Sequence, residues 1–212
     1  VLSLISWTGG REIDDMGSLP RDEHLSKYRF SSLIHRRTMI LGDVSTGKTR
    51  LIASLLAEAL RSENPESITV IDMAPEKRLY KGKPIGGKIT DAVTLPSGVR
   101  LLQPRKINAP RYSARDSDDL IRQVEENRVA IEETLDLYLA KQTPVLFIND
   151  LSLYFQSGRF EKASEAMEQA ETFVANAYHG RALEDDLGTG ISMRERKVVE
   201  TFAGRADILI HL

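Results

Sequence analysis

Eight consecutive residues, Gly42 to Thr49 (GDVSTGKT), combine two glycines, a lysine and a terminal hydroxyl at a spacing suited to gripping phosphate. They match G-x-x-x-x-G-K-[ST] in full. Gly42 and Gly47 admit backbone angles that turn successive N–H groups toward one anion. Lys48 supplies a point charge for the outer phosphates, and the Thr49 hydroxyl is a magnesium ligand of the right hardness. Asp43, Val44, Ser45 and Thr46 form the turn between the glycines and Arg50 follows, so the expected binding segment is Gly42 to Arg50. The alternative is a glycine-rich strand-to-helix turn that carries an exposed lysine.

A magnesium-bound triphosphate needs a second acid, held at the end of a buried strand. Asp150 ends the run VLFIND, and Asp72 lies near the end of ITVIDM. Asp150 is the expected metal-shell acid, because the run before it is the more apolar and follows a full crossover helix. Either acid could instead cap the next helix. For a general base the candidates are Glu76, just after the second strand, Asp72 itself, and Asp185 and Asp186 beside Gly188 and Gly190. A solvated loop glutamate is the plain alternative for Glu76.

These residues need a frame, and the hydrophobic pattern supplies one. Residues 38–41 form a short apolar run that ends at Gly42, followed from Lys48 to Arg61 by Leu51, Ile52, Leu55, Leu56 and Leu60 at helical spacing. Residues 68–73 read as a second strand, 99–102 as a short one, 144–149 as a buried strand and 206–211 as a last strand. Residues 117–140 read as a helix with Ser117 as N-cap. The spacing of Ala163, Ala166, Met167, Ala170, Phe173, Val174 and Ala177 predicts a third long helix over 160–178, ended by Gly180. Ser192 and Glu195 form a capping-box pattern at the start of a final helix that runs to Gly204. Strands alternating with helices imply an α/β fold with a mainly parallel sheet covered on both faces. The expected division is an extension over residues 1–36, with an extra strand and loop at the domain edge, and one three-layer domain over 37–212.

Composition narrows the function classes. The 212 residues are 41% hydrophobic and 28% charged with a formal charge of −2, which is ordinary for one globular domain and gives no global sign of nucleic-acid binding. The chain has no cysteine, which removes disulfides, zinc–thiolate sites and a cysteine nucleophile. No run approaches the ~18 apolar residues of a membrane helix, and the N-terminus lacks the basic flank of a signal peptide. The expectation is a cytoplasmic protein with no membrane partner.

On the Gly42–Thr49 segment and the α/β pattern of residues 38–212, the chain resembles the P-loop NTPase superfamily, with Gly42–Thr49 as Walker A and Asp150 as Walker B. Glu76 sits like the strand-two glutamate of RecA-like ATPases. The segments INDLSLYFQSG (148–158) and DDLGTGIS (185–192) resemble the D-x-L-T-x-W and N-E-V-G-x-G-I segments of the adenosylcobinamide kinase/adenosylcobinamide-phosphate guanylyltransferase family. The continuation GKTRL fits that family's G-K-S-R-x. Its H-R-x-x-R-P segment is not found: His24, His35, His179 and His211 lie in other contexts, and KGKPIGGKIT (81–90) stands in its place. The loop and the V-I-D strand also resemble the polynucleotide-kinase branch of P-loop proteins. The resemblance implies Mg²⁺ and a nucleoside triphosphate. ATP is expected rather than GTP, since no N-K-x-D segment is present. It further implies hydrolysis or phosphoryl transfer to an acceptor, and RecA-like domains often form homo-oligomers.

Between Pro75 and Asp116 the chain carries Lys77, Arg78, Lys81, Lys83, Lys88, Arg100, Arg105, Lys106, Arg111 and Arg115, opposed locally by Glu76 and Asp91. Tyr80 and Tyr112 lie in the same stretch. Such a basic loop, residues 77–115, suits a phosphorylated substrate or a single-stranded nucleic acid. It supports the alternative function of a nucleotide-dependent nucleic-acid-binding or regulatory module. The plain alternative is a solvated loop.

Overall fold

Apolar runs too short for helices and bounded by Gly, Pro and polar turns become the strands of a single sheet. A computed structural model describes residues 27–80 and 83–212. Its strands are β1 (Arg37–Gly42), β2 (Ile68–Asp72), β3 (Arg78–Tyr80), β4 (Lys83–Ile85), β5 (Arg100–Leu102), β6 (Val145–Asn149), β7 (Thr172–Tyr178) and β8 (Ile208–His211). Its α-helices are α1 (Lys48–Ser62), α2 (Pro110–Ser113), α3 (Ser117–Ala140), α4 (Ser152–Phe155), α5 (Glu161–Gln169) and α6 (Ile191–Ala203). Six strands form one all-parallel sheet in the order β5-β2-β6-β7-β1-β8, and β3 pairs antiparallel with β4.

Strand periodicity divides the core between the two sheet faces. Met39, Leu41, Leu146, Ile148, Phe173 and Ala175 point to one face, where α3, α4, α5 and α6 cover them. Ile40, Val145, Phe147 and Val174 point to the other, under α1. Phe30 and Leu33, which precede the expected domain start at residue 37, are buried in that second cluster, and the Phe30 ring stacks on Phe147 at 6.0 Å. The architecture is thus a three-layer α/β fold. Among the described residues no helix is long and apolar enough to cross a membrane. The strand and loop expected within residues 1–26 lie outside the described residues.

The helix expected over 160–178 is corrected. It ends at Gln169, and 172–178 is the strand β7, inserted between β1 and β6. Small and branched residues in TFVANAY are buried on both faces, so the period-two signature of a strand is erased and the alanines pass for a helical stripe. Gly180 consequently ends no helix. The other boundaries agree to within one or two residues, as element ends generally do. The N-cap of α3 is Asp116, whose side chain accepts the Asp119 N–H at 2.8 Å, rather than Ser117. The basic stretch expected as a loop over residues 77–115 contains, besides the short strand β5, the β3–β4 hairpin, a 3-10 turn at Ile89–Asp91 and α2.

Asp119 secures the start of α3 and the turn that carries α2. It accepts from the Arg115 backbone N–H at 3.1 Å and pairs with Arg122, while the Gln123 amide lies 3.3 Å away. The Arg115 N–H and then Arg122 hold its carboxyl down at about 2. A carboxyl whose folded pKa lies below the ordinary 3.8 adds stability that is present above about pH 4 and is lost as pH falls toward 2. Asp119→Asn is expected to destabilise the protein at neutral pH and to flatten the fall in stability between pH 4 and pH 2, as read from urea unfolding at stepped pH.

Candidate functional site

The C-terminal edge of a parallel sheet gathers loop residues from every strand, and here it collects the residues that can handle phosphate. The loop leaves β1 at Gly42 and enters α1 at Lys48, with Ser45 and Gly47 at positive φ (61° and 97°). Gly47 is the helix N-cap and contributes no side chain, so no side-chain cap occupies the first N–H groups of α1. The Lys48 ammonium folds back to donate to the Asp43 carbonyl at 2.6 Å, which also accepts the Thr46 hydroxyl at 2.9 Å. At Gly42 an added Cβ would meet Thr46 Oγ1 at 2.6 Å and the Leu212 carbonyl at 2.8 Å, so the turn closes only around glycine.

Asp43 is a brace for this loop. Its carboxylate accepts the N–H groups of Val44 (2.6 Å) and Arg181 (3.0 Å), the second from the segment after β7. Burial works to raise its pKa, but the Arg181, Val44 and Ala182 N–H groups, with the Lys48 charge, prevail and hold it below the ordinary value. Gly180 lies directly against that carboxylate: a Cβ there would stand 2.3 Å from the Asp43 Cγ.

Asp150 follows β6 in the left-handed region (φ 61°), a conformation that costs an L-residue roughly 1–2 kcal/mol and that Asp tolerates better than most. Neighbouring polar groups fix it there. Its N–H donates to Asn176 Oδ1 at 2.7 Å, and Ser152 donates to its carboxylate at 2.6 Å while accepting the Tyr178 N–H at 3.2 Å. Burial pushes the Asp150 carboxyl up, opposed by Ser152, Lys48 and Arg111; burial likewise pushes the Lys48 ammonium down, opposed by Asp150 and Asp43. Lys48, Thr49, Asp150, Ser152 and Asn176 line one cavity of about 350 Å³, together with Val44, Ser45, Gly47 and Arg50.

The candidate bases go elsewhere. Asp72 is 1% exposed and outside the cavity lining. It accepts from Asn149 Nδ2 at 2.8 Å and from the Ile89 N–H at 2.8 Å, tying β2 to β6 and to the 3-10 turn. Burial raises its pKa, against the pull of those donors. Asn149 continues the chain of contacts by accepting from Asn176 Nδ2 at 2.9 Å. Glu76 is exposed and pairs with Lys88 at 2.6 Å, outside the cavity lining. Asp185 and Asp186 fold a turn: Asp185 accepts the Leu187 N–H at 3.4 Å, and Asp186 accepts those of Gly188 (3.1 Å) and Ser192 (3.0 Å).

Glu195 and Arg111 are the site residues that sequence reasoning missed. The capping box expected from Ser192 and Glu195 does not form. The N-cap of α6 is Gly190, Asp186 takes the Ser192 N–H, and Glu195 turns inward to line the cavity. There it forms an ion pair with Arg111 from α2, their side chains being 2% and 5% exposed. Arg111 also donates to Ser192 Oγ at 3.2 Å. Its guanidinium stands 5.9 Å from the Tyr178 ring centroid, and the Lys48 ammonium stands 6.0 Å from the same centroid. Burial raises the Glu195 carboxyl to about 7 in spite of Arg111. A glutamate three residues after a serine carries no mark of this role, because its partner is 84 residues away.

Among the described side chains, the basic segment 77–115 is interrupted by ion pairs. Lys88, Lys106, Arg111 and Arg115 pair with Glu76, Glu126, Glu195 and Asp119. Arg100 donates to the carbonyls of Leu137 (2.6 Å) and Lys141 at the end of α3. Lys77 and Tyr112 line the cavity. The side chains of Arg78, Tyr80, Lys81 and Lys83 lie outside the described residues. No protein-family model matches the chain, and no curated protein matches it in sequence.

Gly180→Ala is expected to drive the Asp43 carboxylate from its seat and to destabilise the protein by about 1–3 kcal/mol, the usual cost of overpacking. Urea unfolding checks this; a variant as stable as the parent would show that Asp43 does not hold the loop to the segment after β7.

Proposed function

We propose that this chain is a P-loop protein that binds a Mg²⁺-bound nucleoside triphosphate, ATP, and hydrolyses it or transfers its terminal phosphoryl group. The observation that carries this reading is the Gly42–Thr49 loop at the start of α1, whose Val44, Ser45, Gly47, Lys48 and Thr49 line one cavity with Asp150. Polyphosphate in that loop would meet the N-terminal end of α1 and the Lys48 ammonium. The carbonyl now holding Lys48 is a neutral acceptor that phosphate oxygens outbid, since a charged acceptor makes a roughly twofold stronger hydrogen bond.

The donor set also fits magnesium. Among the described residues no group of three His, Cys, Asp or Glu side chains stands ready for a metal ion. The cavity instead offers the Thr49 hydroxyl beside Lys48 and the Asp150 carboxylate, both hard oxygen donors. A shell finished by water and phosphate oxygens is the ordinary arrangement for Mg²⁺. Bound there, the ion would neutralise charge between the outer phosphates. Asp150 holds its side of that shell through Ser152 and Asn176, and Lys48 orients the phosphates. An anion beside Lys48 and a cation beside Asp150 would each favour the charged form that burial now disfavours.

Thermal unfolding with and without Mg²⁺ and each of ATP, GTP, ADP and GDP tests the reading. Stabilisation by Mg-ATP is expected to reach about 2.7 kcal/mol at a hundredfold excess over the dissociation constant. Lys48→Ala should remove it while leaving the protein folded. An unaltered response in a folded Lys48→Ala protein would defeat the proposal. Asp150→Asn is expected to weaken the magnesium dependence. Asp72→Asn is expected instead to lower baseline stability by about 1–3 kcal/mol through its disturbed hydrogen bonds, with the magnesium dependence retained. The reverse ranking would transfer the metal-shell role to Asp72.

A further inference from the structure

Three buried polar atoms of residues that line the cavity have no hydrogen-bond partner, Glu195 Oε1, Arg111 Nε and Gln156 Oε1, although the Gln156 side chain bonds the Glu195 carboxylate. All three residues line that cavity, and the Glu195 and Arg111 side chains are at least nine-tenths buried. Natural proteins rarely leave such atoms unsatisfied, because each forfeits the hydrogen bond that would offset its desolvation. The set is also chemically specific. Two oxygens ask for donors and one N–H asks for an acceptor. A phosphate oxygen can answer only the N–H, and an ammonium only the oxygens. A single water has both donors and the acceptor capacity required, and an organic hydroxyl can meet the N–H and one of the two oxygens.

Position gives that oxygen a use. Glu195, Gln156 and Arg111 line the same cavity as Lys48 and Asp150, and the Arg111 guanidinium and the Lys48 ammonium stand 5.9 and 6.0 Å from the same Tyr178 ring, so the cluster shares the cavity that would take a terminal phosphate. The earlier candidate bases lie outside the cavity lining: Asp72 is buried under its own donors, Glu76 is bound to Lys88, and Asp185 and Asp186 accept N–H groups at the turn into α6.

We propose that Glu195, with Gln156 and Arg111, forms the nucleophile subsite, holding the O–H group that attacks the terminal phosphorus. This rests on the triphosphate reading above. The nucleophile oxygen forms a bond to the γ-phosphorus, and the bond from that phosphorus to the β,γ-bridging oxygen breaks. ADP leaves with that electron pair, and the O–H proton passes to the Glu195 carboxylate. Arg111 fixes the carboxylate in place and adds positive charge on the side of the attacking oxygen. The chemistry is the same for water and for an organic hydroxyl. The apolar walls at Ala74, Pro75, Ala109, Pro110 and Leu153 leave room for the second.

The test uses the full chain with Mg-ATP in ¹⁸O-enriched water, with and without glycerol as a simple hydroxyl probe. ADP, inorganic phosphate and glycerol phosphate are followed by mass spectrometry, and ATP affinity is measured separately. The parent is expected to form ADP, with ¹⁸O in inorganic phosphate if water occupies the subsite and with glycerol phosphate if a hydroxyl compound does. Glu195→Gln is expected to slow ADP formation by about a hundredfold or more, in the range of a lost general base, with ATP affinity changed less than about threefold. If the unpaired Arg111 prevents Glu195→Gln from folding, Glu195→Asp keeps the charge, withdraws the carboxylate and should show the same split. Equal rates in parent and variant would overturn the proposal and assign the three atoms to a structural water. ATP binding without ADP formation in the parent would overturn it as well, while leaving the binding reading intact. Absence of ATP binding in the parent would remove that reading, and this one with it.

Discussion

Withdrawing an ammonium and a carboxylate from water into one cavity costs several kcal/mol per ion, and the rest of the edge of this sheet is built around that cost. Lys48 and Asp150 attract each other, yet burial still presses both toward their neutral forms. Hydrogen bonds supply part of the compensation. Ser152 donates to the Asp150 carboxylate, Asn176 accepts its N–H, and the Asp43 carbonyl takes the Lys48 ammonium. An arrangement of this kind is more favourable with a polyanion and a cation in place than without them, which is the physical content of the proposed function.

The polar chain from Asp72 through Asn149 and Asn176 to the Asp150 N–H crosses the ends of three adjacent strands, β2, β6 and β7. Every one of its side chains is consumed by a neighbour, so it acts as a rigid strap rather than as a reactive group. This separates two aspartates that look alike in sequence. Asp72 ends a buried strand and is spent on structure, whereas Asp150 lies one residue beyond its strand, where a left-handed turn swings it toward the cavity.

The frame was legible where one face of an element is apolar and the other polar. α1 and α3 show this contrast, and the runs at β1, β2, β6 and β8 are bounded by turn residues. β7 was misread for the opposite reason. It is buried on both faces in the middle of the sheet, so nothing in TFVANAY alternates, and alanine suits a tight strand contact as well as a helix stripe. The error matters for the site, because β7 supplies Asn176 and Tyr178.

Local sequence by itself determined the Gly42–Thr49 turn, whose glycines, lysine and hydroxyls act within one loop and one helix start, and the parallel α/β class, which follows from the alternation of buried strands and amphipathic helices. Tertiary structure alone decided the rest of the cavity. Arg111 meets Glu195 across 84 residues of chain, and Asp43 meets Arg181 across 138. It also brought acids from α3 and α6 to Lys106, Arg115 and Arg111 of the basic stretch. Short-range spacing reports what a residue can do along its own helix or turn. Which side chains share a low-dielectric cavity, and so which carboxylate is held back from water, is set by contacts between segments that the order of residues does not display.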